Sequence, residues 1–125
     1  MNFGLGDDFV LRYVDRALSM LLILGAIGHT FGVLKFYRGQ PHPLFWALCE
    51  TLLVLLLAAV NLLRSWRPED RALAWIATVS SGAYVVVSIE FGRLMGNLFD
   101  PRAVVFALVS LGLVLFGLRS ALRKA

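Results

Sequence analysis

The sequence has very few residues that form disulfides or bind metals. Its 125 residues include one cysteine and two histidines. A single cysteine excludes an internal disulfide and every metal or haem-attachment pattern that needs two or more cysteines. The chain also lacks a Gly-rich phosphate loop and a nucleophile elbow, so nothing favours a nucleotide-binding, hydrolytic or thiol-redox protein. We therefore expect neither enzymatic activity nor a bound metal or cofactor.

Charged residues are scarce as well. They make up 16% of the chain, whereas 59% is hydrophobic, and the mean hydropathy is +0.78. Soluble domains are near half apolar and a quarter charged, so this composition indicates a membrane protein. The net charge is +4, but the basic residues lie at predicted helix ends and form no stripe. We expect them to contact anionic lipid headgroups rather than nucleic acid. The N-terminal MNFGLGDD has no basic segment, so we expect no signal peptide.

Long apolar segments make up most of the sequence. The longest covers residues 44–63, LFWALCETLLVLLLAAVNLL, where Glu50 is the only charged residue. At about 1.5 Å per residue it spans about 30 Å, the thickness of a bilayer's hydrocarbon core. The sequence predicts an all-α integral membrane protein with one domain over residues 1–125. Transmembrane helices are predicted at about 9–37, 43–64, 68–97 and 101–121. Their short connections favour an up-down-up-down bundle.

Prolines and acidic residues mark the predicted helix starts. Pro43 is suited to the first position of helix 2, and Pro68 to that of helix 3. Asp100 and Pro101 form an N-cap followed by proline at the first position of helix 4. The first turns of helix 1 are amphipathic, and we expect their charged residues, including Asp15, to lie at the membrane interface.

Lysine and arginine are unevenly distributed between the two ends of the predicted bundle. Eight of the twelve lie at the end that carries both termini and the helix 2–3 loop, and four lie at the other end. The larger group is Arg12, Arg16, Arg64, Arg67, Arg71, Arg119, Arg123 and Lys124, and the smaller is Lys35, Arg38, Arg93 and Arg102. The positive-inside rule then predicts a multi-pass protein of a bacterial-type inner membrane with both termini in the cytoplasm.

Small residues recur on helices 1 and 4 at spacings typical of close helix packing. Helix 1 contains Gly25 and the pair Gly28-xxx-Gly32. Helix 4 has no ionisable residue between positions 102 and 119, and its small side chains form a narrow seam. The seam contains Ala103, Ala107, Ser110, Val114 and Gly117. We expect these residues to pack helices together, either within one chain or between copies.

Three ionisable residues lie in or near the apolar segments: His29 on helix 1, Glu50 on helix 2 and Glu90 on helix 3. Antiparallel helices would bring all three into the outer half of the membrane. Asn61 is eleven positions from Glu50 and shares its helix face, which we expect to point into the bundle. A carboxylate in lipid is costly, so Glu50 would be protonated or held ionised by His29 or a cation.

Each of these residues also has a structural interpretation. Glu90 and Arg93 form an i, i+3 pair near the interface and are most simply a surface ion pair. His29 can be a neutral histidine bonded to a carbonyl or to a hydroxyl such as that of Thr30. His42 is expected in a loop, and Cys49 is expected to be a small buried apolar group.

Two functional hypotheses follow. In the first, the protein is a transporter or channel-like component that binds a proton or small cation at Glu50 and His29, with Glu90 and Asn61 as further candidates. In the second, it is a non-catalytic accessory or assembly subunit whose polar residues fix contacts in a larger membrane complex. A bundle of this size is thin for enclosing a pathway alone. Besides the lipid bilayer, we therefore expect a homo-oligomer or a larger complex under either hypothesis.

Overall fold

A computed structural model describes residues 3–123, with side chains from residue 6 onward. The described part of the chain contains four α-helices and no strand: α1 Phe3–Phe36, α2 Pro41–Trp66, α3 Arg71–Leu94 and α4 Pro101–Ala121. All four are long and apolar enough to cross a membrane. Lys124, counted above among the basic residues, lies outside the described residues.

The helix starts follow the capping residues, although not always the prolines. Helix α2 begins at Pro41, so that Pro41 and Pro43 both lie in its first turn, where a missing N–H is tolerated. Pro68 and Glu69 form a turn instead of opening α3. The N-cap of α3 is Asp70, whose carboxylate accepts a hydrogen bond from the Leu73 N–H at 2.9 Å.

The turn between α3 and α4 combines a glycine stop with an acidic start. Helix α3 ends at Leu94, and two residues later Gly96 adopts a left-handed φ of 73°, which side chains disfavour. Asp100 caps α4 by accepting from the Arg102 N–H at 2.9 Å, as its sequence indicates. The Arg102 guanidinium and this backbone bond lower the pKa of Asp100 to about 2.

The bundle buries small and polar side chains and exposes large apolar ones. Long side chains such as Leu24, Phe31 and Leu56 are exposed. A soluble domain places such side chains inside, whereas lipid tails solvate them as well as a protein core does. The buried polar and charged residues are Asp15, Ser19, Asn61, Arg64, Ser65, Thr78, Ser81, Ser88 and Ser110.

Several small residues make the close helix contacts that their spacing predicts. A Cβ added at Gly25 would lie 2.8 Å from the Phe106 ring, so α1 and α4 touch there. A Cβ at Gly117 would lie 3.2 Å from the Thr78 Cα, so α3 and α4 touch there. Of the other seam residues of α4, Ala103 and Ser110 are buried, and Ala107 and Val114 are half-buried.

Gly28 and Gly32 make no such contact within the chain. Both are exposed, and a Cβ added at either would have no atom within 4 Å. Two glycines that the spacing did not single out do pack tightly: Gly92 against Ala103, and Gly112 against Leu18. Within the chain, α1 is therefore closely packed at Gly25, whereas the helix surface around Gly28 and Gly32 stays open.

Candidate functional site

The structure brings His29 of α1 to Glu50 of α2, and we call this pair the His29–Glu50 site. The Nε2 atom of His29 lies 3.7 Å from Oε2 of Glu50 and 3.3 Å from the Ala47 carbonyl oxygen. Because a carbonyl can only accept, the hydrogen bond to Ala47 requires a hydrogen on Nε2. That N–H then lies beside the carboxylate. The side chains are 26% and 33% exposed, so the pair is accessible from the bundle surface.

Hydroxyl groups join the same two helices at the next residue of each helix, Thr30 after His29 and Thr51 after Glu50. The Thr30 hydroxyl donates to the Ala26 carbonyl at 2.8 Å and lies 3.3 Å from the Thr51 hydroxyl. Thr30 therefore bonds a threonine and its own helix, while His29 bonds the backbone of α2. These contacts fix how α1 faces α2 at the depth of Glu50.

Tyr84 of α3 completes the surroundings of Glu50. Its side chain is buried, and its phenol lies near the Glu50 carboxylate. The Tyr84 ring packs edge-to-face on Phe106 of α4, with ring centroids 6.1 Å apart. Phe106 in turn occupies the space that Gly25 leaves on α1. The missing side chain at Gly25 thus positions an aromatic pair that ends beside Glu50, and all four helices contribute to the site.

Glu90 does not join this site. Its only ion-pair partner among the described residues is Arg93, whose Nε lies 2.9 Å from both carboxylate oxygens. Both side chains are exposed. The structure therefore shows the simpler interpretation of Glu90, a surface pair one turn apart on α3. His42 lies in the first turn of α2 rather than in a loop, and its imidazole accepts from the Trp46 indole N–H at 3.4 Å.

Asn61 faces the bundle as predicted but belongs to a second cluster, which we call the Asp15–Arg64 network. Arg64 donates two parallel hydrogen bonds to the Asp15 carboxylate, at 2.5 and 3.0 Å. It also donates to the Asn61 side-chain oxygen at 3.3 Å and to the Ser120 hydroxyl at 3.2 Å. Asn61 then donates to the Ser81 hydroxyl at 3.0 Å. One residue or more from each helix therefore takes part.

The burial of this network corrects two sequence-based expectations. Asp15 is 5% exposed and Arg64 is 1% exposed, so both side chains point into the bundle and neither is free to contact lipid headgroups. The signal was present in the spacing: Asp15, Ser19, Leu22 and Ala26 share one buried face of α1. On α2 the predicted polar stripe through Asn61 continues to Arg64. Both partners of the ion pair thus lie on the inward faces of their helices. The charge of a side chain favours the membrane interface, but here the helix face decides the position.

The network leaves one donor unsatisfied. The Nε–H of Arg64 is buried and has no acceptor among the described residues. A buried N–H without a partner costs about 1–3 kcal/mol. Arg64 also lines a cleft with Arg12, Arg119 and Arg123, at the end of the bundle where α1 begins and α4 ends.

An apolar layer separates the two polar clusters. On α1 it consists of Leu22 and Ala26, between Asp15 and His29, and on α2 of residues 54, 57 and 58, between Glu50 and Arg64. These residues form one core cluster with Tyr84, Val109 and Leu113. On α1 and α2, buried apolar side chains therefore lie between the two clusters.

Among the described residues, no group of three or more His, Cys, Asp or Glu side chains is arranged to hold a metal ion. The fold and the site define the class of the protein: a small four-helix chain, long and apolar enough to cross a membrane, with polar clusters in its interior. Comparisons with protein-family models, with curated proteins and with solved structures found no match for this chain.

Proposed function

We propose that the protein is a multi-pass inner-membrane protein, not an enzyme, that binds a proton or small cation at the His29–Glu50 site as a transporter or channel-like component. The observation that carries the proposal is the approach of an imidazole to a carboxylate within helices that have the length of membrane spans. Ionisable residues at such depth are costly, and they commonly bind protons or ions.

The chemistry of the pair suits reversible proton binding. With one proton between them, the two groups form either an ion pair or a neutral acid beside a neutral imidazole. The Tyr84 phenol lies near the same carboxylate and can donate a hydrogen bond to it. A small cation would replace the proton by binding the same carboxylate oxygens.

The contacts also support an antiparallel pairing of α1 and α2. Asp15 and His29 are fourteen positions apart on α1, and their partners Arg64 and Glu50 are fourteen apart in the reverse order on α2. The two contacts are thus separated by about 21 Å along both helices. With short connections elsewhere, this favours an up-down-up-down bundle with both termini on the cytoplasmic side.

The apolar layer bears on where an ion would cross. Because Leu22, Val54 and Leu57 lie between the two clusters, a path through one chain would have to pass a buried apolar core. We expect the path to run at a boundary with a second copy instead. Glu50 is accessible from the bundle surface, which agrees with such a boundary.

A second candidate function is an accessory or assembly subunit of a membrane complex. The observation that favours it is the open face around Gly28 and Gly32, where small residues allow another helix to approach closely. In that case Glu50 would bond a polar group of the partner rather than carry an ion.

Flux measurements on the purified protein in liposomes test the transport proposal. We expect the parent chain to move protons or a monovalent cation down a gradient, detected with an enclosed pH- or cation-sensitive dye. Glu50→Gln should lower this flux by about tenfold or more, because an amide cannot take up and release a proton. The matched control is Glu90→Gln, the same chemical change at an exposed ion pair, and its flux should equal that of the parent.

Equal flux in the parent and E50Q would remove Glu50 from the mechanism. Absence of flux in every chain, together with a partner that co-purifies in mild detergent, would replace transport by the accessory function. The accessory function fails in turn if the chain purifies only with copies of itself.

A further inference from the structure

The cleft beside Arg64 has the features of an anion site, and the proposed ion site does not use it. We call it the arginine cleft. It encloses about 50 Å³, room for a few waters or one phosphate group. Its charged lining consists of Asp8, Asp15, Arg12, Arg64, Arg119 and Arg123, and two serine hydroxyls also line it. Leu11 and Phe116 contribute an apolar wall.

The charges of the cleft are unbalanced. Four guanidinium groups face two carboxylates, which leaves a net charge of +2. Asp15 is fully engaged by Arg64, and Asp8 is shared between Arg119 at 2.6 Å and Arg123 at 3.7 Å. Arg12 lines the same cleft and is exposed. It has no ion-pair partner among the described residues. The cleft therefore carries an excess of positive charge, which a bound anion would balance.

Arg64, which lines the cleft, also carries an unsatisfied donor, an observation separate from the charge count. Arg64 is 1% exposed, and its Nε–H has no acceptor among the described residues. The other hydrogen bonds of this guanidinium run to Asp15, Asn61 and Ser120. A buried polar atom of this kind normally has a partner, from the protein or from a bound molecule.

We infer that the arginine cleft binds the phosphate of an anionic lipid headgroup. Guanidinium groups bind phosphate oxygens through two parallel N–H bonds, so several arginines around one small cleft suit a phosphate. The apolar wall of Leu11 and Phe116, on helices of membrane-spanning length, places acyl chains beside the headgroup. A free phosphate would gain nothing from that wall. The cleft also lies at the end of the bundle for which the arginine count predicts contact with the anionic cytoplasmic leaflet.

Lipid binding to the purified protein in mild detergent tests the inference. Phosphatidylglycerol is titrated against the protein, with phosphatidylcholine as the neutral lipid and inorganic phosphate as the free anion. Retained lipid is counted by native mass spectrometry, and the unfolding temperature is recorded in parallel. We expect phosphatidylglycerol to bind and to raise the unfolding temperature, and we expect neither phosphatidylcholine nor inorganic phosphate to match it.

Three variants assign the binding to the cleft. Arg12→Gln removes a lining arginine that has no ion pair to lose, and we expect about fivefold weaker binding of phosphatidylglycerol. Arg16→Gln is the matched control, since Arg16 lies one turn away, is exposed and does not line the cleft, so its binding should equal that of the parent. Asp8→Asn removes a competing carboxylate and should strengthen binding by a similar factor.

The opposite responses of R12Q and D8N distinguish a binding site from a purely structural cluster, because structural damage would weaken binding in both. Equal losses in R12Q and R16Q would show only a diffuse basic surface and overturn the inference. So would equal binding of phosphatidylcholine, or competition by inorganic phosphate at the same concentration as the lipid.

Discussion

At the scale of single residues, the bundle depends on one buried ion pair. Asp15 and Arg64 form a bidentate contact with almost no exposure, and three further side chains extend it. Burying two charges gains little net free energy, because their desolvation offsets their attraction. Removing one partner is different, since it leaves the other charge buried without compensation.

We therefore predict that Asp15→Ala destabilises the protein by roughly 3–5 kcal/mol, the range for breaking a buried pair. Arg64 would keep its bonds to Asn61 and Ser120 but lose its counter-charge. The measurement is the free energy of unfolding in mixed micelles of mild detergent and dodecyl sulfate, followed by circular dichroism.

Asp7→Ala serves as the control for this prediction, because Asp7 is an exposed aspartate on the same helix. Its effect should stay within about 0.5 kcal/mol of the parent. If D15A unfolds like D7A, the buried network does not exist in the membrane protein. The double variant D15L/R64M should recover most of the lost stability, since an apolar pair of similar volume often replaces a buried ion pair without loss.

The residue scale also shows where sequence-based prediction ends. The approach of His29 to Glu50 follows from helix depth and helix face, both of which can be counted along the sequence. The pairing of Asp15 with Arg64 does not follow from such counting, because charged residues near helix ends are ordinarily expected at the interface. Tyr84 could not be placed beside Glu50 from the sequence, since its position depends on the contact between Phe106 and Gly25.

At the scale of helices, the small residues divide into those that pack and those that do not. Gly117 lies against the backbone of Thr78, whereas Gly28 has open space around it. Spacing alone favoured both positions equally, because a glycine pattern marks a face without naming its partner. Whether a glycine meets another helix depends on how neighbouring helices are rotated against each other. The periodicity of a single sequence does not fix that rotation.

This difference predicts opposite signs for one substitution at two sites. Gly117→Ala should destabilise the protein, because the added methyl would collide with Thr78 at a contact of two helices. Overpacking of this kind costs about 1–3 kcal/mol, from which the gain in helix propensity of about 1 kcal/mol must be subtracted. Gly28→Ala has only that gain and should leave the monomer unchanged or slightly more stable.

Unfolding of both variants in the same detergent mixture gives the comparison. Thermal denaturation followed by circular dichroism is sufficient, since only the sign and order of the two shifts are needed. A stable G117A chain would contradict the close contact of α3 and α4. If G28A is less stable than the parent only at high protein concentration, the copies pack through the open face.

At the scale of the whole molecule, orientation depends on how the basic residues are divided between the two ends. The end with the arginine cleft carries twice as many basic residues as the other end, counting Lys124 from the sequence. Several of the arginines at that end are held in place: Arg64 by Asp15, and Arg119 by Asp8. The asymmetry thus belongs to the packed bundle, and the positive-inside rule predicts that this end faces the cytoplasm.

Cysteine labelling in intact cells measures this orientation. Cys49 is first replaced by serine, and a single cysteine is then introduced as Gln40→Cys or Glu69→Cys. Both positions are exposed, Gln40 in the connection between α1 and α2 and Glu69 in that between α2 and α3. Neither exchange alters the number of lysines and arginines. We expect a membrane-impermeant maleimide to label Q40C in intact cells and E69C only after the membrane is permeabilised.

The reverse pattern, or labelling of both in intact cells, would contradict cytoplasmic termini. It would also remove the anionic cytoplasmic leaflet as the source of the lipid in the arginine cleft, so this one measurement constrains both the topology and the lipid site.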